Sequence, residues 1–179
     1  MAPRSAPLGL LTLSLLAAAP AALAAPFAQT LDLQGVTFTV KATGEGATQQ
    51  LVVKASEHGV SYPLIRESVD GAVRAAEVED LNSDGRPELV VISQGAGSGS
   101  YGSVLAWSAS KGHTLLPITL PELTPQQARG YMGHARFAVV ETSLVRIFPI
   151  YRPTDSNASP SGGLRPVSYT HLTLPTILL

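Results

Sequence analysis

Apolar and polar residues alternate one for one through the middle of this chain, and that period suits a strand rather than a helix. Val36, Phe38 and Val40 alternate with Thr37, Thr39 and Lys41. Successive side chains of an extended strand point to opposite faces, so this stretch has one face for a core and one for water. Leu51 and Val53 resume the same period beyond Gly44-Glu45-Gly46, which predicts a hairpin. Tyr62–Val69 and Ala72–Val78 flank Asp70-Gly71, a dipeptide that predicts a second one. Leu89–Ile92 is a short continuous apolar run, and Val104–Trp107, Phe137–Val140 and Leu144–Ile150 complete the set. Sustained helical periodicity is missing. One short helix is expected at 124–130: Thr124 can cap it, Pro125 suits its first position, Gln127 completes a capping box and Gly130 can end it. The expected fold is all-β, an antiparallel β-sandwich or barrel with one short helix.

The two ends read differently from the middle. Arg4, the apolar run Leu8–Leu16 and Ala22-Leu23-Ala24 form a secretory signal, with cleavage expected after Ala24. The N-terminal apolar stretch is short, Ala-rich and interrupted by Pro20, so it does not read as a membrane span. Residues 166–179 (PVSYTHLTLPTILL) carry no Lys, Arg, Asp or Glu and resemble a translated adapter read-through. The domain that should carry function is therefore 25–165. Without Arg4 the count is 11 basic against 13 acidic residues, a net charge of −2. No basic stripe marks a nucleic-acid partner, and no membrane contact is expected once the signal is removed. The chain has no cysteine. That excludes disulfide stapling, thiolate zinc sites, a cysteine nucleophile and a lipid anchor on cysteine.

Three constellations bear on chemistry. In Asp80-Leu81-Asn82-Ser83-Asp84-Gly85-Arg86-Pro87-Glu88, oxygen donors fall at loop positions 1, 3, 5 and 9 with glycine at 6. Calcium needs six to eight hard oxygens, so Asp80, Asn82, Asp84 and Glu88 are its candidate ligands. Val91 stands where a bidentate glutamate belongs, and the same residues also suit a plain turn in which Asp80 and Asn82 bond backbone amides. Gln94-Gly95-Ala96-Gly97-Ser98-Gly99-Ser100-Tyr101-Gly102 follows an apolar strand. With no Lys after it and no helix to open, it is neither a phosphate loop nor a dinucleotide fingerprint. A backbone-rich loop with two hydroxyls and one aromatic remains, and an exposed loop aromatic often anchors a partner. His58, His113, His134 and His171 form no metal-like pair. A His134/Asp84/Ser98 triad lacks the nucleophile elbow that would support it, which leaves a secreted hydrolase as the weakest reading. Asn157-Ala158-Ser159 is a formal glycosylation sequon followed by Pro160 and carries no weight in a chain with a bacterial-looking signal.

Taken in order, Asp80–Glu88, Ser98-Gly99-Ser100-Tyr101-Gly102, Gly130-Tyr131-Met132-Gly133-His134, Phe137–Glu141, Phe148-Pro149-Ile150-Tyr151 and Gly162-Gly163 resemble the periplasmic inhibitors of invertebrate-type lysozyme, the PliI family. The resemblance runs from Gln29 to Arg165. It implies a periplasmic antiparallel β domain, often a homodimer, that inhibits an animal host's lysozyme and is not an enzyme. It also implies that a Ser-Gly-x-Tyr loop enters the lysozyme cleft. That motif falls on Ser98, Gly99, Ser100 and Tyr101, with Ser98 and Tyr101 as the inhibitory pair. One departure stands out: Ala135 and Arg136 follow His134 where the family pattern has acidic residues. The alternative is a calcium-stabilised extracellular binding or adhesion module centred on Asp80–Glu88. On the first reading no cofactor is needed; on the second it is calcium.

Overall fold

The computed structural model describes residues 25–44 and 47–169. Its strands are β1 (Phe27–Leu33), β2 (Val36–Thr43), β3 (Thr48–Glu57), β4 (Val60–Ser61), β5 (Ile65–Asp70), β6 (Ala72–Glu79), β7 (Glu88–Gln94), β8 (Gly102–Ala109), β9 (Leu115–Ile118), β10 (Arg136–Val140), β11 (Ser143–Pro149) and β12 (Leu164–Tyr169). Every pairing is antiparallel. The strands form three open sheets. The first runs β1-β2-β3-β4, with β5 also on β3; the second runs β6-β7-β8-β9; the third runs β10-β11-β12. Of the two expected forms, the sandwich is the one built.

The alternation at 36–41 decides the first layer. Val36, Phe38 and Val40 are fully buried, whereas Thr37 and Thr39 are half-buried on the other face. They pack with Leu51, Val53, Leu89, Val91 and Trp107 in one apolar cluster. Val90, Ile92 and Ala106 belong to a second cluster with Leu144, Phe148, Val167 and Tyr169. Strand β7 thus sends Leu89 and Val91 to one core and Val90 and Ile92 to the other. A strand covered on both faces reads as a continuous apolar run, which accounts for Leu89–Ile92. Each fully buried side chain of this size contributes about 1.5–3 kcal/mol of transfer free energy.

Two expectations are corrected. Asp70-Gly71 does not close a hairpin: β5 pairs with β3 and β6 pairs with β7, so the chain changes sheets there. Gly71 has φ 83°, and a Cβ on it would overlap the Gln94 backbone. The dipeptide signalled positive φ, and a sheet-crossing corner uses it as readily as a tight turn does. The short helix is not formed. Gln127 Oε1 does accept from Thr124 N–H at 2.9 Å, and Gln127 N–H donates to Thr124 Oγ1 at 3.3 Å. The segment stops after one turn, because Gly130 takes φ 76° and no apolar stripe extends the pattern. Among the described residues there is no helix, and so none long and apolar enough to cross a membrane.

Of the segment 166–179, residues Pro166–Tyr169 lie in β12 opposite Leu144–Ile147. Residues 170–179, His171 among them, and the expected signal at 1–24 lie outside the described residues.

Candidate functional site

Three connections meet at one end of the second and third sheets. The glycine-rich segment joins β7 to β8. Residues 131–135 lead into β10, and residues 150–163 join β11 to β12. The first is held by the other two. His134 N–H donates to Gly99 O at 2.7 Å, and Asn157 Nδ2 donates to Ser98 O at 2.6 Å. Inside the loop, Gly95 N–H donates to Tyr101 O and Ser100 N–H to Gly97 O, both at 2.8 Å. Gln94 Nε2 donates to the Ser100 carbonyl and, at 3.0 Å, to its hydroxyl. The loop is therefore fixed by its own backbone and by two outside braces.

These bonds sort the four residues of the expected contact motif. Ser98 is exposed, and its hydroxyl has no hydrogen-bond partner among the described residues. Tyr101 is 53% exposed, yet its ring packs edge-on against Tyr131 with centroids 5.6 Å apart. Ser100 turns its hydroxyl inward and takes φ 41°. Gly99 lies against the Tyr101 ring, where a Cβ would overlap it. Ser98 and Tyr101 thus face outward, while Gly99 and Ser100 shape the loop. A recess of about 380 Å3 opens between them, lined by Ser98, Gly99, Tyr101, Tyr131, Met132 and Asn157.

Asn157 was legible only as a sequon; its amide is a brace. Gly133 has φ 109°, and a Cβ there would overlap Gly99 O. Its close approach is what lets 131–135 support the loop.

The Asp80–Glu88 loop lies at the other end of β7. Asp80 accepts N–H groups from Asp84 at 3.0 Å and Gly85 at 2.9 Å, and Asp84 accepts from Arg86 at 2.8 Å. Asn82 Oδ1 accepts from Asp84 N–H at 2.9 Å. Glu88 is buried and accepts from Leu81 N–H at 2.8 Å and from the Ser108 hydroxyl at 2.7 Å. Burial pushes its carboxyl above the ordinary range, against the opposing pull of the Ser108 bond. The turn is thus held by its own backbone donors and by the Ser108 hydroxyl of β8. Among the described residues, no three His, Cys, Asp or Glu side chains gather as metal ligands. Seven residues of β7 also separate Asp84 from Ser98, roughly 20 Å at about 3.3 Å per residue, so no triad with His134 assembles.

Arg86, inside the same loop, reaches the first sheet. Its guanidinium meets Glu57 with Nη1 at 2.6 Å and Nη2 at 2.9 Å, and Nη2 lies 2.8 Å from the Tyr62 hydroxyl. Bonding to Arg86, and then to Tyr62, brings the Glu57 carboxyl down to about 2.

Residues 64–122 match a family model. That family is PliI, described as periplasmic lysozyme inhibitor of I-type lysozyme. The matched segment spans β5 to β9, so it contains the whole second sheet, the Asp80–Glu88 loop and the Ser98–Tyr101 motif. The bracing residues Gly133, His134 and Asn157 lie beyond it. Comparison with curated proteins and with solved structures gave no match.

Proposed function

We propose that this protein inhibits invertebrate-type lysozyme by filling the active-site cleft with its 95–102 loop. The observation that carries the reading is an exposed Ser98 hydroxyl and a half-exposed Tyr101 ring on a braced loop inside the PliI-matched segment. Lysozymes cut glycosides with two carboxyl groups set in a groove. A plug for that groove must be narrow and rigid. Glycines keep the loop slim, and the braces hold it in one conformation before binding, which lowers the entropic cost of association. Ser98 donates a hydrogen bond to a carboxylate, and such charge-assisted bonds are roughly twice as strong as neutral ones. Tyr101 supplies a rigid ring for a sugar subsite and a phenol for a second polar group.

The protein works in the periplasm after loss of residues 1–24, as a binding protein rather than an enzyme, and a homodimer is consistent with the family. Its net charge of −2 gives little steering toward a basic enzyme. The test is an activity assay of chain 25–179 against invertebrate-, chicken- and goose-type lysozymes. Near-equimolar protein should suppress the invertebrate type selectively. Tyr101→Ala should raise the inhibition constant about 30-fold, about 2 kcal/mol, and Ser98→Ala should raise it as well. Unchanged constants for both variants would sink the loop mechanism.

A further inference from the structure

Strand β11 carries a cation on its inward face. Leu144, Arg146 and Phe148 share one side of the strand, and Leu144 and Phe148 are both fully buried in the second apolar cluster. Opposite Arg146 in the register stand Phe137 on β10 and Val167 on β12. Its Cζ lies 4.6 Å from the Tyr131 ring centroid, 5.4 Å from that of Phe137 and 5.6 Å from that of Phe148. Three rings therefore hold the guanidinium, but rings engage its face and leave its N–H edge unused.

The inner part of that edge is unsatisfied. Arg146 forms no ion pair among the described residues, and its Nε is enclosed with no hydrogen-bond partner. The Tyr131 hydroxyl is enclosed and unpartnered too. Both side chains line a cavity of about 460 Å3 together with Gly102, Ser103, Glu122 and Phe137. A buried guanidinium donor and a buried phenol without acceptors are costly, and buried polar groups in folded proteins are seldom left so. Both can donate, so the missing group is an acceptor. One guanidinium offers one positive charge, and Glu122 at the rim opposes a second negative charge. A monoanion fits and a phosphate does not. Arg edges present parallel N–H groups that match a carboxylate.

We propose that Arg146 and Tyr131 form a carboxylate-binding pocket, filled by an acidic side chain of the protein that the loop engages. The occupant's origin rests on the inhibitor reading; the carboxylate chemistry does not. Tyr131 links the two places, since it lines this cavity and also supports Tyr101 beside Ser98. Gly102, which ends the loop, lines the same cavity, so the pocket adjoins the surface a partner of the loop would cover.

Two measurements on the 25–179 chain decide it. Acetate is titrated against sodium chloride at matched ionic strength while the arginine Nε–H resonances are followed by NMR. One resonance, lost in Arg146→Lys, should shift saturably with acetate alone. Glu122→Gln should tighten acetate about twofold, a gain that a purely structural role for Arg146 would not give. Inhibition of invertebrate-type lysozyme should weaken at least fivefold in Arg146→Lys, with an unchanged melting temperature. No acetate response in the wild type would overturn the pocket. So would Glu122→Gln melting lower and newly exposing Arg146 to acetate, because Glu122 would then be its natural partner. Saturable acetate with full inhibition by Arg146→Lys would overturn the partner's side chain as the occupant and leave a free small carboxylate. If Tyr101→Ala and Ser98→Ala both inhibit like wild type, the loop reading fails, and the acetate titration still decides the pocket.

Discussion

Glu57 and Arg86 show how one residue pair ties separated parts of the chain. Glu57 ends β3, and Arg86 sits in the loop before β7; their bidentate contact joins the first sheet to the second. Because the folded pKa of Glu57, about 2, lies below its ordinary value, its stabilisation is present above the usual carboxylate range. It is lost as pH falls from there toward about 2. The wild-type urea midpoint should therefore decline across that acid window, and Glu57→Gln should be less stable at neutral pH with a shallower decline. A Glu57→Gln curve parallel to wild type down to pH 2 would refute the assignment. Gly133 is the second decisive residue. A side chain there meets both positive φ and the Gly99 carbonyl, so Gly133→Ala should cost about 1–3 kcal/mol of stability. The damage should concentrate on the loop, and the inhibition constant should rise even where the variant is folded by circular dichroism.

At the scale of elements, turns rather than strands separate expectation from outcome. The strand at Val36–Thr43 is written in its alternation, and its hairpin with β3 forms as expected. The Thr124/Gln127 capping box also forms, but a cap alone does not make a helix without an apolar stripe to bury. The Asp80–Glu88 loop satisfies its carboxylates with backbone N–H groups and the Ser108 hydroxyl. A turn held that way should not depend on an ion. Its melting temperature should stay the same in millimolar calcium and in chelator, by scanning calorimetry. A calcium-dependent rise of several degrees would instead favour the calcium-stabilised module.

For the whole molecule, the feature that matters is a middle sheet shared by two cores. Leu89 belongs to one cluster and Leu144 to the other, and both are fully buried. Replacing either with alanine should cost about 2–5 kcal/mol. Side chains in separate clusters couple weakly, so the double variant should lose nearly the sum, read by urea denaturation. If each single variant instead produced two separate transitions, β7 would not join the cores into one cooperative unit. The site depends on the same arrangement. Its loop leaves β7 in the middle sheet, and its braces come from the connection between the middle and third sheets and from the one between β11 and β12.

The sequence alone determined the all-β class, most strand positions, and the two loops on which functional readings rest. Those features are local. A period of two, a glycine run and an Asx turn need only neighbouring residues to be meaningful. It also carries a local signal for the second pocket: Leu144-Val145-Arg146-Ile147-Phe148 places a cation on an apolar face. Only the tertiary structure decided that Asp70-Gly71 changes sheets, that β7 feeds two cores, and that Asn157 and Gly133 brace a loop far from them in sequence. Each of those facts is a pairing between distant segments. Which partner a strand edge or a carbonyl finds is fixed by burial across the whole chain, and no local pattern encodes it.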